Sequence, residues 1–90
     1  MLRAALGTRF RRDVKRAEKR GKDMSKLRAL VRLLVQQQPL PAKYRDHALK
    51  GEWQDMRDAH IEPDWLLIYY VENDVLHLVR TGTHADLFDE

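Results

Sequence analysis

The stretch "WLLIYYV", Trp65 to Val71, places seven apolar or aromatic residues in a row in a chain of which 34% is charged. A run that does not alternate and is this short suits a strand covered on both faces rather than a helix. The rest of the fold must therefore supply a cover for it. "VLHLVRT", Val75 to Thr81, does alternate, as a strand with one buried face should. The intervening "END", Glu72 to Asp74, is expected to turn the chain back, because Asn and Asp tolerate the left-handed backbone of tight turns. Upstream, "EWQDMRDAH" partly alternates and reads as a half-exposed strand, and Leu2 to Leu6 offers an edge strand.

The cover comes from the front of the chain. Thr8 is placed to cap a first helix in which Phe10, Val14 and Ala17 share a face, and Gly21 stands where helices stop. Asp23 then caps a second helix whose Met24, Leu27, Leu30, Val31, Leu34 and Val35 follow the 3.6-residue period until Pro39 and Pro41. The short connection implies an antiparallel helical hairpin. The expected class is α+β: one domain over residues 1–90, with that hairpin on one face of a small, mainly antiparallel sheet of three or four strands and the other face partly bare. Ninety residues bury only roughly 60–65% of their unfolded surface, so one modest core is all the chain can build.

Charge divides the chain unevenly. The net charge is +3, yet residues 1–32 carry twelve of the seventeen Lys and Arg against three acids, and residues 33–90 carry five against eleven. Such a polycationic front suits a polyanion, either nucleic acid or an acidic protein, although small helices also carry Lys and Arg simply for solubility. Arg9, Arg12, Arg16 and Lys19 fall near one another on the first helix and are expected to form an outward basic stripe. With no cysteine there is no disulfide framework, thiolate metal cage or cysteine nucleophile. No apolar run is long enough to span a bilayer and "MLRAALGTRFRR" lacks the apolar segment of a signal peptide, so a cytoplasmic location is expected.

Three of the four histidines sit where strand patterns give way to turns: His47 in "YRDHALKG", His60 in "RDAHIEPDW" and His84 in "RTGTHADLF". Histidine can take and give a proton near neutral pH, so a cluster of them suits acid–base chemistry. A meander would bring the end of one strand (His60), the start of the next (Asp64, Trp65) and the end of the last (Arg80 to His84) to one rim. Pro63 keeps His60 and Asp64 from stacking a helical turn apart. Plainer readings stand beside these. Asp64 can cap a turn, Trp65 can be core, Arg57 can pair with Asp55 or Glu62, Gly82 can serve the backbone alone, and His77, alternating with Val75 and Val79, reads as structural.

"KYRDHALKGEWQDMRDAHIEPDWLLIYY" followed by "RTGTHADLF" resembles the YafQ branch of the RelE superfamily, toxins of bacterial type II toxin–antitoxin pairs. The resemblance also takes in "DVKRAEKRGKDMSKLRALVRLL". It implies a RelE-like fold, an endoribonuclease that cuts mRNA in the ribosomal A site, and a cognate antitoxin that silences it. It places catalytic histidines at His47, His60 and His84, a catalytic aspartate at Asp64, an aromatic at Phe88, and at Arg80 the arginine that faces the scissile phosphate.

That chemistry uses the RNA's own 2′-hydroxyl as nucleophile and calls for no metal or cofactor. His47 or His60 would serve as base and His84 as acid, with Asp64 fixing an imidazole or orienting the nucleotide and Arg80 donating to the phosphate. Phe88 and Trp65 would meet unpaired bases, Arg57 the substrate, and the basic stripe the RNA of the 70S ribosome. The products would carry a 2′,3′-cyclic or 3′-phosphate and a 5′-hydroxyl. Two other readings are a non-catalytic RNA-binding module and a metal-dependent hydrolase using the same histidines; "HIEPD" lacks the i, i+4 spacing of familiar histidine metal pairs.

Overall fold

The computed structural model describes residues 1–89. Strand β1 (Arg3–Leu6) leads into helices α1 (Thr8–Lys19) and α2 (Met24–Val35), then strands β2 (His47–Ala48), β3 (Arg57–Glu62), β4 (Trp65–Glu72) and β5 (Val75–Gly82), and a final helix α3 (His84–Phe88). Single 3-10 turns at Ala42–Tyr44 and Gly51–Trp53 flank β2. The sheet has five strands in the order β1-β5-β4-β3-β2. The expected three or four strands undercount it. All neighbours are antiparallel except β1, which pairs with β5 in parallel over Arg3–Leu6 and Val75–Leu78.

The local sequence accounts for most element boundaries. Asp23 caps α2 by accepting from the Ser25 backbone N–H at 3.0 Å. Gly21, at φ 79°, makes the left-handed turn out of α1, and Asn73 and Asp74, at φ 52° and 63°, make the hairpin between β4 and β5. Thr8, expected as a cap, is instead the first helical residue; the cap position is Gly7, with no side-chain hydrogen bond. The stretch read as one strand from Glu52 to His60 breaks in two, a 3-10 turn ending at Trp53 and a strand starting at Arg57.

β4 is central, and Trp65 to Tyr69 are all buried. One face packs against the helical hairpin, bringing Leu67 and Tyr69 together with Phe10, Leu27 and Leu30. The other face is not bare. Leu66 and Ile68 are covered by Leu87 and Phe88 of α3 and by Leu49, Trp53 and Met56 of the β2–β3 segment. α3 was missed because it is five residues long, but its signal is present: "THAD" is a capping box in which Thr83 and Asp86 satisfy each other's backbone N–H groups.

Candidate active site

The second face of the sheet carries the three histidines singled out in the sequence. β3 alternates, so Asp58 and His60 point to this side while Arg57 and Ala59 point away. Pairing of β2 with β3 sets His47 opposite Asp58, and the turn after Gly82 brings His84 to the same rim. The three imidazoles form a row, with ring centroids 6.3 Å apart for His47–His60 and 5.7 Å for His60–His84. Phe88 continues the row 6.3 Å from His84, and Trp53 meets Phe88 edge-on at 6.1 Å. The expected convergence of strand ends is what the fold delivers.

Each imidazole has a different surrounding. His84 Nδ1 lies 2.6 Å from Asp64 Oδ1, and the same oxygen accepts the His84 backbone N–H at 2.9 Å. These contacts hold the Asp64 carboxyl below its ordinary range. His47 Nδ1 is 2.9 Å from the Arg45 carbonyl and 3.1 Å from Asp58 Oδ1. Because a carbonyl only accepts, the proton sits on Nδ1 and points at Arg45, leaving Asp58 Oδ1 an ionic neighbour with no hydrogen bond of its own. Asp58 is 3% exposed, and burial raises its carboxyl, offset in part by the histidines around it. His60 is half-buried, its Nδ1 has no partner, and burial lowers its pKa.

Two open clefts adjoin the row. One of about 390 Å³ is lined by His60, Lys43 and Arg45; the other, about 440 Å³, by Phe88, Trp53, Arg9 and Arg80. Asp58, Lys43, Arg45 and Trp53 were not singled out from the sequence. Asp58 had a signal, since it stands two residues before His60 on the same strand face. Among the described residues, no group of three or more His, Asp or Glu converges as a metal ligand set.

Other expected site residues lie elsewhere. Trp65 is 1% exposed and its Nε1 donates to Thr81 Oγ at 2.9 Å, so it is core and offers no ring face to a base. Arg57 is on the helical side of the sheet, where its guanidinium pairs with Asp46, which also accepts from the Tyr69 hydroxyl. It touches neither Asp55 nor Glu62 in this way, and Glu62 is taken by Lys22 and Lys26. Arg80 is 7% exposed and gives Nε and Nη2 to Asp13 of α1, at 2.6 and 3.2 Å. In the basic stripe Arg9, Arg12 and Lys19 are exposed, but Arg16 turns inward to Asp13 at 2.9 Å and Asp86 at 3.6 Å. His77 stacks on Tyr70 at 4.4 Å, away from the row, as a structural residue would.

Comparison with known proteins identifies the family. Residues 2–89 match the sequence model of the family described as the bacterial toxin of type II toxin–antitoxin system, YafQ. The chain is 55% identical over 80 residues to the mRNA interferase toxin YafQ of Escherichia coli K12, covering 88% of this chain and 87% of that protein. The crystal structure of YafQ from E. coli BL21(DE3) superposes with a TM-score of 0.92 at 48% identity, covering 98% of this chain and 99% of the other. YafQ in the crystal structure of the E. coli DinJ–YafQ complex gives 0.90 at 49% identity, with the same coverage. This chain belongs to the YafQ family of bacterial type II toxin–antitoxin toxins.

Proposed function

We propose that this toxin cuts mRNA in the ribosomal A site by metal-independent acid–base catalysis and that a cognate antitoxin protein binds and silences it. The chain is an endoribonuclease, as is the mRNA interferase it matches at 55% identity. The DinJ–YafQ complex supports the antitoxin. The observation that carries the chemistry is the pair of carboxylate-backed imidazoles, His47 with Asp58 and His84 with Asp64, on either side of His60.

His47 is the general base. Its proton is fixed on Nδ1 by the Arg45 carbonyl, so Nε2 keeps a lone pair to take the proton of the 2′-hydroxyl, and Asp58 steadies the resulting imidazolium. The 2′-oxygen attacks phosphorus, and the bond from phosphorus to the 5′-oxygen breaks. His84 is the general acid. Asp64 accepts its Nδ1–H and orients the ring, whose Nε2 proton passes to the departing 5′-oxygen. His60 stays neutral, and a buried lone pair at Nδ1 costs less than a buried N–H, so its proton sits on Nε2 and is donated to a phosphate oxygen. Arg80, committed to Asp13, is a positioning residue, while Phe88 stacks on a base and Arg9, Arg12 and Lys19 grip ribosomal RNA.

The test is cleavage of message in a ribosome-bound translation complex with chelator present, parent against His84→Ala, with both new ends identified. Ribosome-dependent cuts leaving a 5′-hydroxyl and a cyclic or 3′-phosphate, lost in the variant, are expected. A folded, antitoxin-free parent that cuts nothing, or cuts only after metal is added back, overturns the proposal.

A further inference from the structure

The mechanism above leaves Trp53 without a task. Its indole stands at the end of the 3-10 turn Gly51–Trp53, half-buried, perpendicular to Phe88 at 6.1 Å. Its Nε1 is buried with no partner, although the N–H of a buried tryptophan ordinarily finds one. Beside it lies the cleft of about 440 Å³, within the size range of small-molecule sites. Arg9 and Arg80 bring positive charge to its lining; Glu52, Asp86 and Asp89 bring carboxylates. Asp86 is occupied by Arg20 at 2.7 Å, which leaves Glu52 and Asp89 facing the space.

The order of rings gives the cleft a direction. It runs His47, His60, His84, Phe88, Trp53. If His84 protonates the 5′-oxygen of the leaving nucleotide, that nucleotide lies beyond His84, on the side of Phe88 and Trp53. We propose that this cleft is a base-binding subsite for the nucleotide 3′ of the cut, with Trp53 as its aromatic wall and Glu52 as an acceptor for an exocyclic amino group. It rests on the assignment of His84 as the acid. Stacking on the wall tolerates any base, whereas the carboxylate rewards adenine, cytosine or guanine over uracil, which has no amino group to donate.

The chain has two tryptophans, and Trp65 is 1% exposed in the core, so Trp53 is the one whose emission can report on a ligand. The probe is a short single-stranded RNA with a 2′-O-methyl group at the nucleotide 5′ of the cut, which removes the nucleophile, carrying adenine or uracil on the 3′ side. Binding should change the emission of the parent and leave that of Trp53→Phe unchanged. Losing one stacked base should weaken binding by roughly tenfold in Trp53→Ala, and Glu52→Gln should narrow the adenine preference without abolishing binding. In ribosome-bound message Trp53→Ala should raise KM far more than it lowers kcat, with the cut at the same phosphate. RNA binding that leaves Trp53 emission untouched, or unchanged affinity and KM in the variant, overturns the subsite. Should Trp53→Ala not fold, the emission comparison of parent with Trp53→Phe decides alone. A parent that cuts no message while its Trp53 responds to the probe sinks the proposed activity and with it the placement of the base 3′ of a cut; normal cutting with a silent Trp53 overturns the subsite alone.

Discussion

Asp58 is a carboxylate whose surroundings disfavour its charge: it is buried, burial raises its pKa, and its Oδ1 accepts no hydrogen bond. In the proposed mechanism that charge steadies the imidazolium formed on His47, whose Nδ1 lies 3.1 Å away. Asp58→Asn keeps the shape and removes the charge. The variant should gain on the order of 1 kcal/mol, roughly 4–8 °C in melting temperature, while cleavage slows at least tenfold. A thermal melt beside single-turnover cleavage checks both, and an unchanged rate would remove Asp58 from the mechanism. The same cause shifts His60 in the opposite direction. Burial lowers its pKa, so the unfolded chain takes up a proton before the folded one as pH falls. Its contribution to stability is complete above the ordinary histidine value of about 6.5 and is lost as pH drops from there toward the depressed folded value. In His60→Gln the melting temperature should fall less across that window than in the parent.

At the scale of elements, α1 is fastened to the sheet by one buried carboxylate. Asp13 accepts from Arg80 Nε and Nη2, from the Thr81 backbone N–H at 3.1 Å and from Arg16, beyond the point where β1 stops pairing with β5. Asp13→Ala strands a buried guanidinium and an edge N–H together, which should cost about 3–5 kcal/mol. Denaturant unfolding will show it as a fall in midpoint at constant slope, and a loss below 1 kcal/mol would mean that the pair is not what holds α1. The helical hairpin, the β4–β5 turn and the three-histidine rim were legible because periodicity, Gly21, Asp23, Asn73 and Asp74 act locally. What was not legible depends on partners far along the chain. Arg57 finds Asp46, Arg80 finds Asp13, and β1 joins β5 in parallel, none of which a short window of residues can specify. Gly82 is a similar case: a Cβ there would stand 2.8 Å from Asp86 Oδ2, so the glycine admits α3 against the strand rather than serving a turn. Trp65 carried the right signal for the core, and the contrary expectation came from the general habit of aromatic rings to stack on unpaired bases.

Over the whole molecule, the structure divides the basic front of the chain into cations that pair with carboxylates and cations that stay exposed. Arg16 and Arg20 join Asp86 of α3, and Lys22 and Lys26 join Glu62 of β3, so these cations tie helices to the rim that carries His60 and His84. Arg20 in turn holds the Asp86 carboxyl well below its ordinary range. Arg9, Arg12 and Lys19 stay exposed on α1, and Arg9 also lines the cleft beside Phe88. The basic surface therefore runs into the site rather than lying behind it. Each cation that contacts a phosphate adds about 0.7 to the slope of log affinity against log salt for single strands. Replacing Arg9, Arg12 and Lys19 with alanine should therefore flatten the slope for single-stranded RNA by up to roughly two and leave the melting temperature nearly unchanged. Arg16→Ala, which removes a structural pair, should do the opposite, lowering the melting temperature with little change in slope. Affinity titrations at four or five salt concentrations distinguish the two sets. Equal slopes in the triple variant and the parent would place the RNA on another face, and the path from α1 into the site would have to be abandoned.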